Sequence, residues 1–199
     1  MSFRIAAAVF CGLFVLVSAT GCAWQRIAKE PVYQSTEAPS PIRLGVKAAD
    51  NPVSNTYVPA IVAKLQSWQV FQSVSYPYRE GDPVDAVLIV NVSGGWQGNQ
   101  GANAGKGFLI GLTLGAASAA VGPGMKGQHD VAASLQKNGA ELAKYSFHQE
   151  TPVSWGMGAN TNEVSRKADQ LLVAELAKGI ADRIKQDWPR IAPQIAKSP

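Results

Sequence analysis

Apolar residues are unevenly spread along the chain, and their spacing changes character several times. An uncharged apolar run from Ile5 to Val17 comes first, behind Arg4. Residues Ala23 to Pro41 then hold three prolines and several polar side chains with no period, which predicts a flexible tether. Ile42 to Val46 alternates as a strand. Val58, Ile61, Val62 and Leu65 follow at i, i+3, i+4 and i+7, with Trp68 extending the stripe, and predict an amphipathic helix capped near Asn55. Val70 to Tyr76 alternates again, Glu80-Gly81-Asp82-Pro83 is a turn, and Ala86 to Val92 is apolar enough for a central strand. His129–Lys137 and Ala140–Gln149 flank Asn138-Gly139, a strong hairpin signal. A last helix starts near Thr161 or Asn162, buries Ala168, Leu172, Leu176, Gly179/Ile180 and Ile184, and is expected to stop at Pro189. The order β-α-β-β-(insert)-β-β-α predicts an α+β fold, a single mixed or antiparallel sheet with two main helices packed on it.

The insert, residues 94–127, breaks the pattern. It opens Gly94-Gly95-Trp96-Gln97-Gly98, turns apolar and uncharged from Gly107 to Val121 apart from polar hydroxyls, and closes on Gly122-Pro123-Gly124. Gly105-Lys106 suggests a phosphate loop, but Gln100 stands where the motif needs glycine and Gly107 where it needs Ser or Thr. Gly107, Gly111, Gly115 and Ala119 recur every four residues and would line one helix face, open to close contact with a membrane or a second copy. A hydrophobic crossover buried on the domain's own sheet accounts for the same run. Both readings stay open.

Composition narrows the classes. The formal charge is +4, or about +3 once Arg4 is set aside, and no Lys/Arg run reaches five, so there is no nucleic-acid footprint. The apolar run is short for a bilayer-spanning helix, which takes ~20 residues, and suits an export signal over residues 1–21. Removal of that signal leaves 178 residues, enough for one core, divided here as a tether to residue 41, a domain over 42–188 and a tail over 189–199. Of the two cysteines, Cys11 lies in the signal, so Cys22 would stand alone and no disulfide can form.

Ala19-Thr20-Gly21-Cys22 resembles the lipobox of bacterial lipoproteins, with small residues at the two positions before the cut. The resemblance implies a diacylglycerol on the Cys22 thiol, cleavage before Cys22, and acylation (typically palmitate) of the new amino group. Ala23 rather than aspartate after the cysteine implies the outer membrane, with the domain in the periplasm. Over residues 42–187 the element order is similar to the small domain shared by the TolB amino-terminal region, the curli secretion subunit and the PelC exopolysaccharide lipoprotein. The partners so implied are the membrane, through its lipid, and an envelope protein or a second copy of the chain.

Nothing in the sequence argues for catalysis, a cofactor, a metal or a small-molecule substrate. With Asn138 and Gly139 facing each other, His129 is expected directly opposite His148, with Glu150 two residues along, but no cysteine completes a ligand set. Ser154 in Pro152-Val153-Ser154-Trp155-Gly156 is not a nucleophile elbow. Glu80, Asp82 and Asp85 cluster at a turn, and Glu163, Asp169 and Glu175 lie among helix cations as a solvated face. Trp155 and Met157, among glycines, are the candidate partner contact, while Trp155 capping the core accounts for it as well.

Overall fold

The computed structural model describes residues 25–33, 39–98, 124–156 and 159–196. Their elements run β1 (Gln25–Arg26), β2 (Ser40–Ala48), α1 (Pro52–Ser67), β3 (Phe71–Ser75), β4 (Ala86–Gly98), β5 (Gly124–Lys137), β6 (Ala140–Trp155) and α2 (Thr161–Ala196). The six strands form one sheet in the order β1-β6-β5-β4-β2-β3. β2 is parallel to both β3 and β4, and β1 is antiparallel to β6, so the sheet is mixed and the fold is α+β.

Each element follows from local chemistry and is then fixed by packing. Ile42, Leu44 and Val46 of β2 are buried on one side of the strand while Arg43 and Lys47 point to solvent. The α1 cap is Asn51, four residues before the expected Asn55; its side chain accepts from the Ser54 amide at 2.8 Å. Pro52 at the first helical position needs no amide partner and marks the true start. Ser54 is wholly buried and its Oγ accepts from the Val92 amide at 2.8 Å, pinning the start of α1 to β4. The expected stripe Val58, Ile61, Val62 and Leu65 is the buried face of α1, and Trp68 is its C-cap. At the turn before β4, Asp85 is not a free solvated acid. It accepts from the Arg43 amide and guanidinium, both at 2.7 Å, and the hydrogen bonds hold its carboxyl below the usual range.

Three expectations along the chain are corrected. Residues 22–41 were expected to be a free tether, yet 25–33 are docked. β1 pairs with β6, Glu30 is ion-paired with Lys64, and the Tyr33 ring stacks on Trp68 at 5.5 Å. Pro189 does not end α2. The helix continues to Ala196 through Pro189 and Pro193, because Ile191 is wholly buried, Trp188 and Ile195 pack on the core, and Lys137 Nζ donates to the Ile195 carbonyl. The strands also run further than their apolar centres, β4 to Gly98 and β6 to Trp155.

The third correction concerns the hairpin. Asn138 and Gly139 take positive φ (50° and 78°), as a two-residue turn of this kind requires. Residues 137 and 140 would then pair, putting buried odd positions of β5 opposite even positions of β6. Both strands instead bury odd positions, among them His129, Val131, Ala133 and Leu135 on β5 and Ala143, Thr151 and Val153 on β6. The Asp130–His148 and Gln128–Glu150 contacts lie one residue further along β6 than the turn alone would set, which places one extra residue in β6. Leu142 and Ala143, consecutive and both turned to the core, mark the bulge.

The described residues divide into two compact units. One comprises 25–27, 98, 124–126, 152–156 and 159–167. The other comprises 28–33, 39–97, 127–151 and 168–196 and holds the contiguous core around Leu44, Ile61, Leu88, Leu172 and Leu176. Gly179 in that core lets the Phe147 ring lie on α2, since a Cβ there would come within 2.7 Å of it, and the Arg183 guanidinium lies over the ring, 4.1 Å from its centroid.

Candidate functional site

The bulge separates the two histidines. His148 is exposed, with Nδ1 2.8 Å from Asp130 and Nε2 3.5 Å from Glu150, and Gln128 donates to Glu150 at 3.2 Å. The hydrogen bond to Asp130, then the charge of both carboxylates, raises the His148 pKa. Asn91, Ser93 and Ser146 line the same shallow depression. The arrangement sets a protonatable ring between two carboxylates at the edge of that depression. Among the described residues no group of three or more His, Cys, Asp or Glu could hold a metal ion.

His129 lies on the opposite face, wholly buried, and neither ring nitrogen has a hydrogen-bond partner. Tyr57 and Trp96 meet it edge-on at 5.2 and 6.3 Å, and Trp96 Nε1 donates to Asp169 at 2.9 Å. The expected facing pair of histidines is thus corrected, and Asp169 does more than solvate a helix face. Glu175 is corrected likewise: it accepts from Thr151 Oγ1 and Gln149 Nε2, and burial raises its pKa. The cluster His129, Tyr57, Trp96 and Asp169 was missed in the sequence, although the apolar odd positions that follow on β5 already place His129 inward.

Burial holds the His129 pKa below its ordinary 6.5. The unfolded chain therefore binds a proton more readily than the folded one, and stability present above about pH 6.5 is lost as pH falls toward the folded value. His148, with a raised pKa, has the opposite sign. Replacing His129 by leucine should remove the acid loss and leave stability at neutral pH equal to or above the parent, because two unsatisfied polar atoms, worth about 1–3 kcal/mol, are gone. Urea unfolding of both proteins between pH 8 and pH 5 measures the difference. An unchanged gap across that range would show that His129 does not titrate on unfolding.

Of the other expected site residues, Trp155 ends β6, half-buried and opposite Gln25. Cys22, Gly107, Gly111, Gly115, Ala119 and Met157 lie outside the described residues. Among the described residues no helix is long and apolar enough to cross a membrane, which says nothing of a β-barrel.

No protein-family model matches this chain. No curated protein matches it either. Among solved structures, a minor lipoprotein from Acinetobacter baumannii is 13% identical, with a TM-score of 0.44, over 73% of this chain and 93% of that one. A PelC dodecamer from Paraburkholderia phytofirmans is 12% identical, with a TM-score of 0.29, over 77% of this chain and 97% of that one. At such scores neither likeness says what this chain binds or assembles into.

Proposed function

We propose that this chain is a non-catalytic lipoprotein of the outer membrane, held by lipid on Cys22, whose periplasmic domain binds or helps assemble another envelope component. The observation that carries the reading is Ala19-Thr20-Gly21-Cys22 placed after an uncharged apolar run, with no other cysteine left once the signal is cut. A single acyl chain binds a membrane only marginally; two or more make a stable anchor. The shallow depression lined by Asp130, Ser146 and His148, of mixed polar and apolar character and with Glu150 beside it, suits a protein partner better than a reaction.

Mass spectrometry of the amino-terminal peptide should find an acylated Cys22, and the protein should sediment with the outer membrane. The Cys22→Ser variant should lose the acyl mass and appear in the soluble fraction. An unmodified Cys22 in membrane-bound protein would overturn the anchor. A second reading, insertion through Gly107–Val121 as part of a pore or export assembly, draws on the four-residue spacing of Gly107, Gly111, Gly115 and Ala119. It requires the Cys22→Ser protein to stay on membranes after a salt wash.

A further inference from the structure

Charge is divided unequally between the two compact units. Among described residues the larger unit carries eleven Lys or Arg against twelve Asp or Glu. The smaller carries Arg26, Lys126, Arg166 and Lys167 against Glu163 alone. Within the smaller unit these groups share one end of the sheet. Gln25 and Arg26 pair with Trp155 and Ser154 at the end of β6. Gly124, at the start of β5, lies so close that a Cβ on it would sit 3.1 Å from the Val153 carbonyl, and Lys126 is two residues on. Lys167, in the second turn of α2, donates to Gln25 at 3.3 Å and is paired with Glu163 at 2.6 Å. Arg26 and Arg166 are exposed.

The chain that precedes this end is short. Two residues, Ala23 and Trp24, lie between Cys22 and Gln25, so the extended reach is at most about 11 Å, close to one screening length at ordinary ionic strength, about 8–10 Å. An acylated Cys22 therefore keeps this basic end within reach of the headgroup layer. We infer that the end formed by β1, the start of β5, the end of β6 and the start of α2 is a docking surface for an anionic phospholipid leaflet, with Arg26, Lys126, Arg166 and Lys167 facing the phosphates. The inference rests on the anchor reading for its orientation, but the surface can be tested without the anchor.

The mature Cys22→Ser chain is titrated with vesicles of phosphatidylcholine alone and with phosphatidylglycerol added, and binding is read by sedimentation. A Lys or Arg near an anionic surface is worth about 1 kcal/mol, or about fivefold. Replacing Arg26, Lys126 and Arg166 together by glutamine should therefore lower binding to the anionic vesicles about a hundredfold. Replacing Lys47, Arg79 and Lys144 in the larger unit, an equal loss of charge, should change it by only a few-fold. Circular dichroism establishes that both triple variants are folded; should the first fail to fold, the single Arg166→Gln change, expected to lose about fivefold, replaces it. Equal losses in the two sets, binding no stronger to anionic than to neutral vesicles, or no binding would each overturn the inference. A non-acylated Cys22 in the wild type would overturn the anchor reading alone and leave the vesicle result standing.

Discussion

Replacing Gly94 by alanine is expected to destabilise the fold by about 3 kcal/mol or more, while the same change at neighbouring Gly95 should be nearly silent. Gly94 takes φ +100°, a region that L side chains avoid at a cost of about 1–3 kcal/mol. A Cβ there would lie 2.1 Å from the Gln128 carbonyl oxygen and 3.0 Å from the His129 Cα. Both are backbone atoms of β5, so relief requires the strands to part. Forced overpacking adds about 1–3 kcal/mol. Gly95 has open space around its Cβ position and does not take positive φ. Urea midpoints of the two variants decide the matter, and similar values would mean that β4 and β5 are not so closely apposed at Gly94.

Ile191→Ala should cost about 2–5 kcal/mol, the range for a large aliphatic residue removed from a core. Ile191 is wholly buried although it follows Pro189, which deletes a helix hydrogen bond and is commonly worth about 3 kcal/mol against a helix interior. Burial of Ile191, with Trp188 and Ile195 packed on the same core, offsets that loss. Were residues 189–199 a solvated tail, the substitution would fall within about 0.5 kcal/mol, as surface changes do. Gln194→Ala, on the exposed side of the same turn, supplies the comparison. A thermal or urea shift no larger for Ile191→Ala than for Gln194→Ala would return the last turns of α2 to the solvent.

These two sites show which parts of the molecule could be read in advance. Wherever one short period decides the outcome, the sequence pattern was sufficient. Val58, Ile61, Val62 and Leu65 are buried together, Ile42, Leu44 and Val46 share a face, and Asn138-Gly139 turns with both φ angles positive. The misreadings arise where a distant partner outweighs a local rule. Asn51 caps α1, with Ser54 held by Val92 across 38 residues. Ile191 carries α2 past a proline because a core waits for it. One additional residue at Leu142-Ala143 moves His129 and His148 to opposite faces, and no turn signal announces it. Glu175 looks solvated among helix cations until Thr151 and Gln149 meet it from β6. The candidate surfaces are of this second kind, since Asp130, His148 and Glu150 form a unit only after the bulge has set the register.

The two-residue strand β1 has a mechanical consequence. Lipid on Cys22 would pull on the chain at Gln25, and the first structure to take the load is the pairing of Gln25 and Arg26 with Trp155 and Ser154. This short pairing, with Lys167 bonded to Gln25, is the first fastening. While it holds, the leash between lipid and folded chain is at most about 11 Å long; once it peels, the next tie is the Glu30–Lys64 ion pair, and the leash lengthens to about 29 Å. If Cys22 carries lipid as proposed, a pull on the domain would lengthen its leash in one step without unfolding its core, and β1 would act as a tension-released slack.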